Sequence, residues 1–193
     1  MVARLATDKV MAGWRAVHST AKLEEASLAP ANDVLITAAD TVVEVGDSIL
    51  GKPEGEADAV RMLTMLSGRR HRVHTGLSVA RGPFEADSPE EVVGSVETTG
   101  VTMRTLDPDL IHWYVATGEP FDKAGAYGIQ GRGALLVEAI DGSYFNVVGL
   151  PIVTLDRLCQ RLGWPLHRLG KTSSSDGDDR DRLDVASLKP EVG

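Results

Sequence analysis

Asp40 and Lys52 stand twelve positions apart in AADTVVEVGDSILGKP (38–53), on either side of a Gly46-Asp47 pair. A Gly-Asp pair between two β-branched runs, here Thr41–Val45 and Ser48–Leu50, is the signal of a two-residue hairpin. The run before it, Val34 to Ala38, predicts a strand buried on both faces. Asp40 then lies at the strand's carboxyl end, where open α/β sheets place their sites. The hairpin folds Lys52 back toward the same end. A carboxylate there binds a divalent cation or takes a proton from an attacking water, and a lysine beside it offers a point charge to phosphate. Taken singly, Asp40 reads as a turn acid and Lys52 as a solvated surface lysine. Their spacing is what suits phosphoryl chemistry.

TGEPFDKAGAYGIQGRGALL (117–136) is the second stretch with chemical content. Its glycines at 118, 125, 128, 131 and 133 let backbone approach a ligand and expose N–H donors. Lys123 adds a cation, Glu119 and Asp122 add acids, and Gln130 carries both a donor and an acceptor for a base edge. The pattern matches neither the P-loop nor the dinucleotide fingerprint, so on its own it reads equally as a flexible connection. Arg69, Arg70, His71, Arg72 and His74 alternate along an expected strand and read as a solvated strand edge. Two histidines without a third ligand make no zinc site. Cys159, spaced helically with Leu155, Leu158 and Leu162, reads as a small core residue.

The elements expected to hold these residues follow from periodicity. Residues 2–15 read as a helix with Leu5, Val10 and Trp14 apolar and Arg4 and Lys9 cationic, and His18 to Asp33 as an irregular or partly helical insertion. A helix opens at Pro53, with acids in its first turns and Val60, Met62, Leu63 and Leu66 on its apolar stripe, and stops at Gly68. Strands are expected over 71–81 and 97–104, with a surface loop at 82–94. Asp107-Pro108 starts a helix running to Gly118. ALLVEAIDGSYFNVVG (134–149) predicts a second hairpin about Asp141-Gly142. Pro151 begins a last helix to Leu162. Helices interleaved with hairpins indicate an α/β or α+β sheet with antiparallel parts. One domain over 1–170 and a disordered polar tail over 171–193 are expected.

With 193 residues, 42% of them hydrophobic, the chain is large enough for one domain with a proper core. No apolar run is long enough for a membrane span, and the N-terminus lacks the core of a secretory signal. A lone cysteine forms no internal disulfide, which makes a reducing cytoplasm the default. The net charge of −8 argues against nucleic acid or an anionic membrane surface as a partner. A small polyanion remains compatible, given local cations or a metal.

Taken together, RLATDK (4–9), AADTVVEVGDSILGKP (38–53), MLSGRRHRVHTGLSV (65–79) and the long run from Tyr114 to Pro151 resemble the Maf family, over roughly residues 2–163. Its members are nucleoside triphosphate pyrophosphatases linked to septum formation. The resemblance implies a Maf/inosine-triphosphatase-like α/β fold, a mixed twisted sheet flanked by helices. It also implies a divalent cation (Mg²⁺ or Mn²⁺), a homodimer, and cleavage between the α- and β-phosphates of a nucleoside triphosphate. By the same resemblance Asp40 matches the general base and metal-site acid. Lys9, Lys52 and Lys123 match positions near the triphosphate. Thr41 and Gln130 match positions marking the subgroup that acts on dTTP and UTP, where a sister subgroup preferring 7-methyl-GTP has glutamine and glutamate. Chemistry agrees: an amide satisfies the mixed edge of thymine or uracil, whereas a carboxylate would face its carbonyl oxygens with no proton to give.

Family members begin with a strand ending in a Ser-x-Ser-Pro-Arg-Arg loop, which has no counterpart ahead of the RLA helix here. The expectation is therefore an N-terminally truncated fold with an unpaired sheet edge. Two functions are in view. One is a metal-assisted pyrophosphatase acting on dTTP, UTP or modified pyrimidine nucleotides. The other is a catalytically weak or inactive nucleotide-binding or regulatory relative.

Overall fold

A computed structural model describes residues 1–23 and 33–168. Helix α1 covers Val2–Leu23, so the first expected helix continues past residue 15. Most of the expected insertion and the whole 171–193 tail lie outside the described residues.

Among the described residues, five strands form one sheet in the order β2-β1-β3-β4-β5, antiparallel at every pairing. They are β1 (Asp33–Val45), β2 (Ser48–Leu50), β3 (Arg70–Pro83), β4 (Glu91–Met103) and β5 (Val137–Asp141). The first hairpin forms as expected, with Val45 opposite Ser48 and Gly46 at φ +57°. One expectation fails here. Asp40 does not end a strand but sits within β1, opposite Gly76 of β3. The cause is local: no breaker separates Ala38 from Thr41, and the β-branched run 41–45 keeps pairing with β3 as far as Glu44 opposite Arg72. The expected 82–94 loop shrinks for a similar reason. Arg81 grips Asp33 on the neighbouring strand at 2.5 Å and its carbonyl accepts from Glu90 N at 2.9 Å, which extends both strands toward the turn.

Two layers of helix cover the sheet. Val2, Ala6, Val10 and Trp14 of α1, each four residues apart, are buried, and Val10 and Trp14 pack on Ala80, Ile36 and Ala38. On the opposite face α2 (Glu56–Leu66) and α3 (Pro108–Val115) bury Leu63, Leu66, Ile111 and Tyr114 against Val43, Val73 and Val101. Helix α2 starts three residues after Pro53, because Glu54 N is tied to Asp58 Oδ2 at 3.1 Å ahead of the first turn. Helix α3 begins as expected, with Asp107 accepting from Leu110 N at 2.7 Å and Pro108 at the first position. It closes early through the tighter bonds Thr117 N to Tyr114 O and Gly118 N to Val115 O.

The second expected hairpin is half formed. β5 pairs with β4, but beyond Gly142 the chain turns into a short helix, α4 (Tyr144–Val148), rather than a return strand. Ser143 caps it by accepting from Asn146 N, and Gly149 closes it at φ +112°. The alternation of Tyr144, Asn146 and Val148 imitates a strand, yet the cap and the buried Asn146 decide for helix. Helix α5 (Ile152–Arg161) then follows Pro151 as expected and buries Cys159 with Leu155, Leu158, Leu77 and Val79.

Candidate active site

Beside β1 a cleft of about 260 Å³ opens between α1, the β2–α2 connection, the α3–β5 loop and the end of α4. Lys9, Asp40, Thr41, Lys52, Lys123 and Gln130, the six side chains singled out by sequence, all line it. They come from four separate segments. The volume is at the small end for a small-molecule site.

Lys9 lies on α1 next to the buried Ala6 and Val10, at the border of the face that packs on the sheet. Its Nζ pairs with Asp40 Oδ1 and lies 3.4 Å from the Ala39 carbonyl oxygen. The Asp40 carboxylate is only 17% exposed. Among the described residues its second oxygen, Oδ2, makes no hydrogen bond. Directly across from Asp40, Gly76 lets the first turn of α1 rest on the sheet: a Cβ there would sit 2.4 Å from the Val2 carbonyl oxygen. Gly76 carries its own sequence signal, since a glycine inside a strand pattern marks close backbone approach.

Lys52 and Lys123 are brought together by backbone. Gly125 N donates to Gly51 O at 2.9 Å, joining the β2–α2 connection to the glycine loop. Gly125 holds φ +71° against Val43, where a Cβ would come within 2.9 Å. Next to it Ala126 is a non-glycine residue at φ +59°, a conformation costing roughly 1–2 kcal/mol. Lys123 Nζ donates to Asp122 Oδ1 at 2.7 Å. That bond, reinforced by the charges of Lys123 and Lys52, holds the Asp122 carboxyl below its usual range. Glu119, the other acid of the loop, takes no place in the cleft. Its carboxylate accepts from Arg132 N and Gly133 N, both at 3.2 Å, and so caps the loop internally.

Tyr127 forms part of the cleft wall, and sequence gave no reason to choose it. Its hydroxyl meets His71 Nε2 at 2.7 Å, with the two rings edge to face. His71 is therefore not on a solvated strand edge, as its charged neighbours suggested. It is 2% exposed on the central strand of the sheet, while Arg70 and Arg72 alternate to the exposed face. Burial pushes the imidazole down to about 4 and raises the Tyr127 hydroxyl. Both rings are neutral at pH 7 and share one hydrogen bond, its direction set by the imidazole tautomer. The unfolded imidazole, near 6.5, holds more protons than the folded one between pH 6.5 and about 4. Stability therefore falls as pH drops through that window, by about 3 kcal/mol. Urea unfolding of wild type and His71→Gln at pH 7 and pH 4.5 measures it: the variant should lack most of this loss, and an equal loss in both would rule out the assignment.

The cleft has the charge balance of an anion site. Three lysines face Asp40 and Asp122, leaving a formal excess of one positive charge in a chain of net −8. Among the described residues no three His, Cys, Asp or Glu side chains gather closely enough to hold a metal by themselves. The donor set does fit Mg²⁺ or Mn²⁺ bound together with substrate, since Mg²⁺ takes one or two carboxylates and completes its shell with phosphate oxygens and water.

The model of the Maf-like protein family matches residues 1–162. The chain belongs to the Maf-like family. Among curated relatives, the dTTP/UTP pyrophosphatase of Moorella thermoacetica is 50% identical over 157 residues, 78% of each chain. The dTTP/UTP pyrophosphatase of Dictyoglomus thermophilum is 50% identical over 134 residues, 69% of this chain and 67% of its own. That of Pyrococcus furiosus is 47% identical over 134 residues, 69% and 66% of the two chains. The matched family segment contains every element that lines the cleft of this Maf-like protein.

Proposed function

We propose that this Maf-like enzyme, a nucleoside triphosphate pyrophosphatase, acts on dTTP and UTP and on modified pyrimidine nucleotides. One observation carries the reading: an aspartate, three lysines, a threonine and a glutamine from four distant segments converge on one cleft. The names of its relatives support the same substrate class.

In this reading Asp40 Oδ2 accepts a proton from a water whose oxygen attacks the α-phosphorus. The bond from that phosphorus to the bridging oxygen breaks, and pyrophosphate leaves. The products are a nucleoside monophosphate and pyrophosphate. Lys9, paired with Oδ1, holds the carboxylate in its orientation. Lys52 and Lys123 offset charge on the leaving pyrophosphate, a form of electrostatic stabilisation that is usually a large part of catalysis. Asp122 restrains Lys123 so that its ammonium does not wander from the cleft. A divalent cation, held by Asp40 and the substrate's own oxygens, would supply further charge neutralisation at the phosphates. Thr41 and Gln130 meet the base. We further propose a cytoplasmic homodimer, with no role for nucleic acid. Among the described residues no helix is long and apolar enough to cross a membrane.

Incubation of the chain with dTTP, UTP, CTP or GTP and Mg²⁺, with products resolved by ion exchange, tests the reading. Monophosphate and pyrophosphate from dTTP and UTP are expected. Orthophosphate as the product, or no turnover of any nucleotide, would refute it.

A further inference from the structure

A buried chain of hydroxyls and one amide runs from the start of α4 to Thr41 on the cleft wall, and one arrangement of its protons makes the most hydrogen bonds. Thr99 Oγ1 accepts from Ser143 N at 3.0 Å and from Asn146 Nδ2 at 2.9 Å, and donates to Ser143 O at 3.2 Å. Asn146 Nδ2 also donates to the Val73 carbonyl at 3.1 Å, which fixes the amide's orientation because a carbonyl accepts only. Thr75 Oγ1, fully buried, donates its one proton to the Asn146 carbonyl at 3.1 Å. To make both of its bonds it accepts from Thr41 Oγ1, 2.9 Å away, whereas donating there would give up the bond to the Asn146 carbonyl. Thr41 thus has its proton pointed inward, and what it offers the cleft is lone pairs. Gly149 closes over it: a Cβ there would lie 3.6 Å from the Thr41 hydroxyl oxygen.

We infer that Thr75 and Asn146 are positioning residues for base selection: by taking the Thr41 proton they make Thr41 an acceptor, matched to the N3–H of uracil or thymine. Cytosine has a bare lone pair at N3 and meets this oxygen acceptor to acceptor. The cost of the arrangement is visible in the core. Asn146 Oδ1 is buried without a hydrogen-bond partner, a loss that an apolar residue at this place would avoid. The amide's other contacts are the ones that hold α4, and with it the Asn146 carbonyl, in register with Thr75.

The inference rests on the pyrimidine reading above, and its test separates the two. kcat/KM is measured for UTP and CTP with wild type, Thr75→Val and Thr75→Ser, and for 3-methyl-UTP with wild type. Valine keeps the shape of threonine but releases the Thr41 proton, which then turns to donate to cytosine N3. The preference for UTP over CTP should fall about tenfold, the scale of one neutral hydrogen bond, mainly through KM. Serine, which keeps the hydroxyl, should retain the wild-type preference. 3-Methyl-UTP, lacking the N3 proton, should be a poor substrate even if Thr75→Val fails to fold. A wild type that turns over neither UTP nor dTTP removes the functional reading itself. If wild type prefers UTP but Thr75→Val shows the same preference, or 3-methyl-UTP is hydrolysed as fast as UTP, the proton-orienting role is wrong and the activity stands.

Discussion

Asp40→Asn should reduce kcat for dTTP or UTP by about 10³-fold, the middle of the range for loss of a general base. Asparagine has nearly the same shape and leaves β1 and its pairing with β3 undisturbed, so the fold should persist. What disappears is the capacity to accept a proton from water and the negative charge that Lys9 pairs with. The pair itself contributes little to stability. Lys9 is 54% exposed, and ion pairs of that kind contribute about 0–1 kcal/mol. Thermal unfolding followed by circular dichroism should therefore move by only a few degrees while pyrophosphate release collapses. Lys9→Met is the informative partner: it keeps the base and removes only its neighbour, so its loss should be far smaller than that of Asp40→Asn. Equal losses would mean that the two act as one unit, and an active Asp40→Asn would take proton transfer away from this residue.

The residues bearing charge were legible in the sequence, and the surfaces that place them were less so. Asp40, Lys52, Lys123 and Gln130 stand in stretches whose turn residues and glycines announce themselves, and a hairpin is enough to fold Lys52 back. Lys9 and Thr41 were chosen by resemblance, because neither a lysine on a helix nor a threonine in a strand stands out locally. Strand ends were misjudged wherever pairing, rather than composition, decided them. In sequence an acid such as Asp40 looks like a strand end, yet the extent of β1 is set by the partner strand. The α4 segment resembles a strand in sequence because five residues cannot establish a period of 3.6 against one of 2. His71 is hidden from sequence for a related reason: alternation says that it faces away from Arg70 and Arg72, but which face is dry depends on α2, α3 and the glycine loop folding over it. The hydroxyl chain from Thr99 to Thr41 joins four elements and had no local signature at all.

Gly76→Ala should both destabilise the fold and impair turnover, although the substitution adds only one methyl group and no charge. The added carbon would lie 2.4 Å from the Val2 carbonyl oxygen, 2.5 Å from its carbon and 2.8 Å from Ala3 N. All three are backbone, so no side-chain rotation relieves the overlap, and either α1 lifts or β3 bends. Overpacking of this sort costs roughly 1–3 kcal/mol, and a chain of this size loses about 2–4 °C in Tm for each kcal/mol. The catalytic effect follows from geometry. Lys9 reaches Asp40 from the second turn of the same helix whose first turn rests on Gly76, and Gly76 is the residue opposite Asp40. A displacement of about 1 Å in such an arrangement can cost 10²-fold in rate. Gly55→Ala is the control: Gly55, the N-cap of α2, has extended backbone at φ 171° and nothing within 4 Å of an added Cβ, so the variant should lose only the small preference of a cap for glycine and keep the wild-type kcat. Steady-state kinetics below the variant's melting range separates the two consequences. A Gly76→Ala protein that is less stable yet turns over at the wild-type rate would show that α1 need not hold Lys9 against Asp40 for the reaction to proceed.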